Sequence, residues 1–117
     1  MKKIYTFIPL KEEHKKLLES SSSNCEYIHL GQIKPSLEQV KDANVIIGNI
    51  PVETIKNIPG LEFVQLNSAG TNGYSDSPDF PKNVLLANAS GAYGVAISEC
   101  ILAGILTLMK HMPSYIQ

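Results

Sequence analysis

The stretch Leu61-Glu-Phe-Val-Gln-Leu-Asn-Ser-Ala-Gly-Thr71 has the pattern of a buried β-strand that ends in a turn of small residues. The pattern recurs in Val84-Leu-Leu-Ala-Asn-Ala-Ser-Gly91, which precedes an apolar segment that we predict to be a helix from about Tyr93 to His111. Two strand-and-turn units followed by a long helix are typical of an α/β protein, in which ligands bind where the strands end.

The residues before this stretch alternate between short strands and short helices. We predict strands at residues 4–8, 25–30, 45–47, 63–66 and 84–87, and helices at residues 12–20, 35–40 and 52–57. Val45-Ile-Ile47 is apolar without alternation, which suits a central parallel strand covered on both faces. Because parallel strands need crossover connections, the alternation predicts a layered α/β fold with a parallel sheet of about five strands.

The composition excludes several classes of function. The chain has 117 residues, 10 basic and 11 acidic side chains and a net charge of −1, so it carries neither a nucleic-acid footprint nor a polybasic membrane patch. The apolar run at 95–109 is interrupted by Ser98, Glu99 and Thr107 and is shorter than a membrane span. No secretory leader opens the sequence, and its two cysteines lie far apart. We therefore expect a cytoplasmic protein of one domain with reduced, mostly buried thiols.

The turn Asn67-Ser-Ala-Gly-Thr71 is the first candidate binding site. Gly70 can adopt a positive φ angle, and its small neighbours leave consecutive backbone N–H groups open, which favours an anion nest suited to a carboxylate. An ordinary strand-to-loop turn explains the same residues. Asn88-Ala-Ser-Gly91 is similar, although Ser90 or Gly91 could instead cap the following helix.

Motifs for other chemistries are absent from the sequence. It contains no G-x-G-x-x-G, no G-x-x-x-x-G-K-[ST] and no G-x-S-x-G, so neither a pyrophosphate site nor an activated serine is predicted. Its histidines are scattered and lack partners at metal-ligand spacing, so we expect no metal site. Pro9-Leu10 follows the first predicted strand, where a phospho-acceptor receiver domain needs acids and a flavodoxin needs a phosphate loop. Both classes are therefore excluded.

The last predicted helix is apolar nearly all round. One stripe consists of Ile97, Ile101, Ile105 and Leu108, and a second of Leu102, Leu106 and Met109. Such a helix is buried on most of its faces, whereas a sheet of five short strands covers only one of them. We therefore expect a further domain or a second subunit against it, and we expect this chain to be the front part of a longer protein.

Three segments together carry a family resemblance. The 61–71 stretch, the 84–91 stretch and Ala96-Ile-Ser-Glu99 in the apolar helix resemble the NAD-dependent D-isomer-specific 2-hydroxyacid dehydrogenases, which are oxidoreductases acting on CH–OH donors. The resemblance is strong over residues 61–112 and weak over residues 1–60. It implies a flavodoxin-like substrate ("catalytic") domain at residues 1–87. Residues 88–117 would cross to an NAD-binding domain outside this sequence and would include the interdomain helix, through which the enzyme would form a homodimer.

The resemblance also implies a substrate site. Its residues would be Ser68, Ala69, Gly70, Thr71, Asn49 and Tyr93. The backbone amides of Ala69 and Gly70 would hold the carboxylate of a small 2-oxo or 2-hydroxy acid, and Asn49 and Tyr93 would lie near the cleft. The family's catalytic Arg, Glu and His and its glycine fingerprint come later in the chain. This fragment would therefore contain no catalytic residue, would be inactive alone, and would leave NAD to be bound mainly by the missing domain.

Two positions depart from the family pattern. Asn72 stands where many members have Asp, and Cys100 stands where many have His, so the 2-hydroxy acid that the parent enzyme would oxidise with NAD remains open. The alternative function is a self-contained, non-catalytic α/β module that homodimerises through its C-terminal helix.

Overall fold

The computed structural model describes residues 1–91 and 94–110. In chain order the elements are β1 (Lys2–Thr6), α1 (Glu12–Ser20), β2 (Cys25–His29), α2 (Leu37–Val40), β3 (Val45–Ile47), α3 (Val52–Ile55), β4 (Phe63–Gln65), β5 (Leu85–Ala87) and α4 (Gly94–Met109). The predicted bounds of α1 and β3 match these bounds to the residue. The ends predicted for the last helix, Tyr93 and His111, lie outside the described residues.

The five strands form one sheet in which every pair of neighbours is parallel. Their order across the sheet is β2-β1-β3-β4-β5, and the register places Ile46 between Tyr5 and Val64. The direction of winding reverses at β1, which has β2 on one side and β3 on the other. This is the flavodoxin-like strand order. The predicted α/β fold with a five-stranded parallel sheet is therefore confirmed.

The core lies over the centre of the sheet. Ile46 in β3 and Val64 in β4 are fully buried, and α2 and α3 each contribute a fully buried side chain, Val40 and Ile55 respectively. Burying an aliphatic side chain of this size stabilises a fold by roughly 1.5–3 kcal/mol. Helix α1 contributes no buried residue, so the sheet centre with α2 and α3 holds the fold together.

One fully buried hydroxyl, that of Thr6, belongs to a chain of polar contacts. The Thr6 Oγ1 atom lies 2.7 Å from His29 Nδ1, and His29 Nε2 lies 2.9 Å from Glu19 Oε1. These contacts join β1, β2 and α1. Because a buried polar group is costly without a partner, the contacts explain how Thr6 is tolerated in the core.

The amino edge of the sheet, defined here as Lys2, Lys3, Asp42, Asn44 and Glu62, consists of paired groups. Asp42 accepts hydrogen bonds of 2.6 Å from Lys3 Nζ and from the hydroxyl of Tyr5. Asn44 accepts from the Lys3 backbone N–H at 2.9 Å and donates to the Gly60 carbonyl at 3.0 Å. Lys2 pairs with Glu62 at 2.7 Å. Each of these contacts ties neighbouring strands or their flanking turns together.

Helix α4 does not share the burial of the other apolar segments. Ile97, Ile101 and Leu108 are 55%, 59% and 71% exposed, respectively, and Thr107 is the one residue between Val95 and Lys110 that is not exposed.

Cys100 is exposed and Cys25 is half-buried, so the expectation of mostly buried thiols is wrong. Cys100 is exposed because it lies in α4, which packs little against its own sheet. Within the described residues, no helix has both the length and the apolar character that a membrane crossing requires.

Candidate functional site

Gly48 determines how the chain leaves β3. It has a φ angle of 136°, and a Cβ atom there would lie 2.9 Å from the Cβ of Phe7, closer than side chains approach. The Gly48 N–H donates to the Gln65 carbonyl of β4 at 2.8 Å, so the strand pairing continues past β3. Since Gly48 permits this close approach of β1 and β3, it fixes the position of the next residue, Asn49.

Asn49 holds the turn that follows β4. Its side-chain nitrogen donates to Ser68 Oγ at 3.0 Å, and its side-chain oxygen accepts from the Asn67 backbone N–H at 2.9 Å. Using both ends of one amide, Asn49 ties the exit of β3 to the exit of β4. This brings together Asn49 and Ser68, two of the six residues of the predicted substrate site.

Asn88 holds the same turn from the other side. Its side-chain nitrogen donates to the Ala69 carbonyl at 2.7 Å, and the next backbone N–H, that of Ala89, donates to the Ser68 carbonyl at 2.8 Å. Ser68 Oγ donates to the Gly70 carbonyl at 2.8 Å. Residues 68–71, which we call the binding loop, are thus held between the ends of β3 and β5.

The backbone N–H groups of the binding loop are the open donors. Among the described residues, no acceptor is found for the N–H groups of Ala69, Gly70 or Thr71, while the loop's carbonyls and hydroxyls are used in its own contacts. Ala69 and Gly70 are exposed. Consecutive open N–H groups on a held loop suit the oxygen atoms of an anion.

Gly70 does not adopt the positive φ angle that glycine permits. The left-handed glycine is Gly73, with a φ angle of 85°, and its N–H donates to Asp76 Oδ1 at 2.7 Å. The sharp reversal comes later because residues 71–75 form a tight turn in which the Tyr74 and Ser75 N–H groups donate to the Thr71 carbonyl. A Cβ atom at Gly70 would have nothing within 4 Å, so the neighbouring residues leave space beside its backbone.

A cleft of about 470 Å³ lies beside the binding loop, at the point where the strand order reverses. It is lined by Phe7 after β1, residues 32–34 after β2, residues 49–51 after β3 and Asn67 after β4. Ligands of open α/β sheets bind at such a reversal, because the connections leave β1 and β3 in opposite directions. Asn49 and Asn67 belong to both the cleft and the support of the binding loop, so the two are contiguous.

Tyr74 fastens the long loop after β4 to the wall of this cleft. Its hydroxyl donates to the Ile50 carbonyl at 2.8 Å, and burial raises the pKa of Tyr74 above its ordinary value. The hydroxyl therefore keeps its proton and remains a donor at neutral pH. This contact keeps the 71–84 segment close to residues 49–51.

The structure thus brings Asn49 and residues 68–71 together at one edge of the sheet. Tyr93, the remaining residue of the predicted site, lies outside the described residues. Asn88 belongs to the second turn named from the sequence, but it was not predicted to support residues 68–71, and the cleft residues 32–34 were not predicted as site residues at all. The sequence gives a signal for Asn88, because this residue directly follows a predicted strand. It gives none for residues 32–34, because their place in the cleft depends on the order of the strands in the sheet.

This chain is similar to a phosphoglycerate dehydrogenase. The crystal structure of phosphoglycerate dehydrogenase from Lactobacillus plantarum matches it with a TM-score of 0.59 and 27% sequence identity, over 92% of this chain and 35% of that chain. The chain therefore spans about a third of the length of that protein. No protein-family model and no curated protein matches the chain. The structural likeness leads to the same class of enzyme as the resemblance in the sequence.

The described residues do not fit a dinucleotide or a metal ion. Helix α1, which follows β1 where a nucleotide phosphate would be bound, begins with Glu12 and Glu13. Their carboxylates oppose a phosphate at a helix N-terminus. Residues 1–91 and 94–110 contain no group of three His, Cys, Asp or Glu side chains that could hold a metal ion.

Proposed function

We propose that this chain is the substrate-binding part of an NAD-dependent D-2-hydroxyacid dehydrogenase, which transfers a hydride between NAD(H) and a small 2-hydroxy or 2-oxo acid. The observation that carries this proposal is the binding loop, in which the N–H groups of Ala69, Gly70 and Thr71 find no acceptor among the described residues while Asn49 and Asn88 hold the loop in place. The similarity to a phosphoglycerate dehydrogenase supports it.

In this scheme the binding loop receives the carboxylate of the substrate. Backbone donors suit this role because they hold a negative charge without adding a side chain that could exchange protons with the oxygen on C2. Among the described residues, Asn49 and residues 68–71 offer the site amides and hydroxyls, and none of them is an acid or base suited to proton transfer at the oxygen on C2. The chain therefore orients the substrate, and the proton-transferring residues belong to the rest of the parent enzyme.

The cofactor belongs, in this proposal, to a further domain of the parent protein. The acidic start of α1 disfavours a pyrophosphate on this chain, and the match covers 35% of the similar dehydrogenase. We further propose that the parent is cytoplasmic, since both cysteines are free thiols.

Titration of the isotopically labelled chain with pyruvate tests the proposed binding role. We expect shifts of the amide signals of residues 68–71, and we expect Asn49→Ala to weaken them because the loop loses its support. Asn57→Ala, whose side chain donates to Glu53 within the α3 turn, is the control and should bind as the wild type does. Shifts spread over the surface, without a maximum at the binding loop, would count against the proposal.

A parallel titration with NADH, followed by its fluorescence, tests the proposal that the cofactor binds to another domain of the parent protein. The chain alone should show no saturable binding in the micromolar range. Micromolar binding would contradict the proposal that the cofactor site lies in another domain.

A second candidate function rests on a different observation, the exposed apolar surface of α4. Exposed contiguous apolar residues mark an interface, so α4 is proposed to be covered by the parent's second domain, by a second copy of the chain, or by both. A self-contained module that homodimerises through α4 would need only the second copy.

Sedimentation of the 12.8 kDa chain separates these possibilities. If α4 pairs with its own copy, the chain sediments as a dimer, and Ile101→Glu converts it to a monomer. Ser98→Glu, an exposed polar position of the same helix, is the control. A monomer at all concentrations would rule out the dimerising module, and would leave the second domain as the cover for α4.

A further inference from the structure

The hydrogen bonds between β4 and β5 leave the regular parallel ladder where the two strands end. The Leu85 N–H donates to the Glu62 carbonyl at 3.0 Å. Because the bonds of a parallel ladder are evenly spaced, this bond recurs along both strands. Continued from 85 to 89 and from 62 to 66, it would join the Ala89 N–H to the Leu66 carbonyl. The Ala89 N–H instead donates to the Ser68 carbonyl at 2.8 Å, and that bond holds the binding loop.

The Leu66 carbonyl receives its hydrogen bond from a side chain. Leu66 has no exposed surface, and among the described residues no backbone N–H donates to its carbonyl. A buried carbonyl without a donor is costly. The side-chain nitrogen of Gln65 lies 3.0 Å from this carbonyl oxygen and donates to it. The Gln65 amide therefore takes the place of the backbone donor that the ladder would have supplied.

The same amide also holds the end of β5. A primary amide carries two N–H groups, and Gln65 donates to the Asn88 carbonyl at 3.2 Å as well. The register places Gln65 between Ile47 of β3 and Ala87 of β5, and its side chain is half-buried. One side chain thus contacts the backbone at the exits of both β4 and β5, next to the residue whose own side chain holds the Ala69 carbonyl.

Two carbonyls compete for the Ala89 N–H. The Leu66 carbonyl would extend the sheet with it, whereas the Ser68 carbonyl uses it to hold the binding loop. Water reaches Ser68, which is half-buried, more readily than Leu66, which is fully buried. Without another donor for Leu66, the extended ladder would therefore be the more stable arrangement. The Gln65 amide removes this competition.

We infer that Gln65 is a positioning residue for the proposed substrate site. By donating to the Leu66 carbonyl, it leaves the Ala89 N–H to the Ser68 carbonyl and keeps the binding loop in the conformation that presents its open N–H groups. The role of Gln65 rests on the proposed function, which assigns the substrate carboxylate to residues 69–71. Gln65 acts through the loop and does not itself touch the substrate.

Gln65→Met tests this role, because it keeps the length of the side chain and removes the donor. Scalar couplings across hydrogen bonds, measured by NMR on the complete, isotopically labelled chain, identify the acceptor of the Ala89 N–H. We expect Ala89 to couple to the Ser68 carbonyl carbon in the wild type and to that of Leu66 in Gln65→Met. Pyruvate should bind residues 68–71 of the variant roughly threefold to tenfold more weakly, as for the loss of one hydrogen bond.

Gln39→Met is the matched control. The Gln39 amide accepts from the Ser36 N–H at 2.9 Å at the start of α2, so its loss should leave the Ala89 coupling and the pyruvate affinity unchanged. Persistence of the coupling between Ala89 and Ser68 in Gln65→Met would overturn the role of Gln65 while the proposed function stands. An unchanged affinity in Gln65→Met, or an equal loss in Gln39→Met, would do the same.

Measurements on the wild type separate this role from the proposed function. If pyruvate does not shift the amide signals of residues 68–71, the proposed function and the role of Gln65 are both overturned. If pyruvate binds there but the Gln65 side-chain amide shows no coupling to the Leu66 carbonyl carbon, only the role of Gln65 is overturned. The latter measurement decides the matter even where Gln65→Met does not fold.

Discussion

The polar groups at the two edges of the sheet differ in how far they are paired within the protein. At the amino edge, Lys2, Lys3, Asp42, Asn44 and Glu62 are paired with one another or with the backbone. At the carboxyl edge, amides hold a loop whose own N–H groups lack acceptors among the described residues. Because the polar groups of the amino edge are paired within the protein, they stabilise the fold, and none of them is left unpaired for a ligand. The carboxyl edge keeps donors available for a ligand.

Substitution of a glycine at each edge should give the largest contrast. Gly48→Ala at the carboxyl edge meets Phe7 and a φ of 136°, so we expect a loss of roughly 2–4 kcal/mol in the free energy of unfolding from strain and overpacking. Gly60→Ala beside the amino edge would bring a Cβ atom only to the end of the Asn44 side chain, 3.4 Å away. The free energy of unfolding should therefore change much less than in Gly48→Ala. Urea denaturation measures both. Equal losses would contradict the special role of Gly48.

Two asparagines that flank β3 provide the sharpest test of the comparison. Asn44 and Asn49 each make two hydrogen bonds to neighbouring segments. Replacement of either by Ala should lower the free energy of unfolding by about 1–2 kcal/mol. Asn49→Ala alone should also weaken the binding of pyruvate at residues 68–71. If Asn44→Ala weakens binding equally, the two edges do not differ in function.

The pH dependence of stability tests the amino edge by itself. Burial and the Asp42 carboxylate raise the pKa of Tyr5 from its ordinary 10.0 to about 12. Between these values the folded chain keeps a proton that the unfolded chain loses. The free energy of unfolding should therefore fall as the pH rises through this window. Tyr5→Phe removes the titrating hydroxyl. In urea denaturation at pH 10 to 12, the free energy of unfolding of this variant should therefore decrease less with rising pH than that of the wild type. An equal decrease in both proteins would exclude Tyr5 as the cause.

The contacts of Asp42 with Lys3 and Tyr5 also make stability depend on pH at the acid end of the range. Hydrogen bonds from Lys3 and Tyr5 hold the pKa of Asp42 below its ordinary 3.8. The stabilisation from the ionised carboxylate is present above that value and is lost as the pH falls below it. Asp42→Asn should remove this part of the acid dependence.

The smallest effect is expected for the exposed pair of Lys2 and Glu62. Their side chains are 57% and 54% exposed, respectively, so the pair contributes little despite its 2.7 Å distance. Lys2→Met should change the free energy of unfolding by less than about 1 kcal/mol and should not affect ligand binding. A larger loss would mean that the amino edge depends on exposed ion pairs as well as on Asp42 and Asn44.

Much of the fold could be predicted because the local patterns and the packing agree. The apolar run at Val45–Ile47 and the charged segment at Glu12–Ser20 were placed to the residue. β1 begins two residues earlier than predicted, at Lys2. Lysines are poor strand formers, but the charge partners at the amino edge hold Lys2 and Lys3 in the strand. Those partners come from distant segments, so no local pattern reveals them.

The candidate site was predictable only where it follows a strand. Residues 68–71 do so, and they lie beside a strand end as predicted, although Gly70 does not adopt the left-handed conformation that it could. The cleft depends on β2, β1 and β3 lying side by side, which only the strand order reveals.

The connection from β4 to β5 has a consequence for the order of local unfolding. Residues 66–84 form turns without a helix, and β5 is an edge strand whose Leu85 is 68% exposed. A strand closed by a long loop and paired on one side is expected to detach before the sheet centre does. Asn88 follows β5 directly and holds the Ala69 carbonyl. Detachment of β5 would therefore release the binding loop, so the lifetime of the loop's binding conformation is limited by the lifetime of the pairing between β4 and β5.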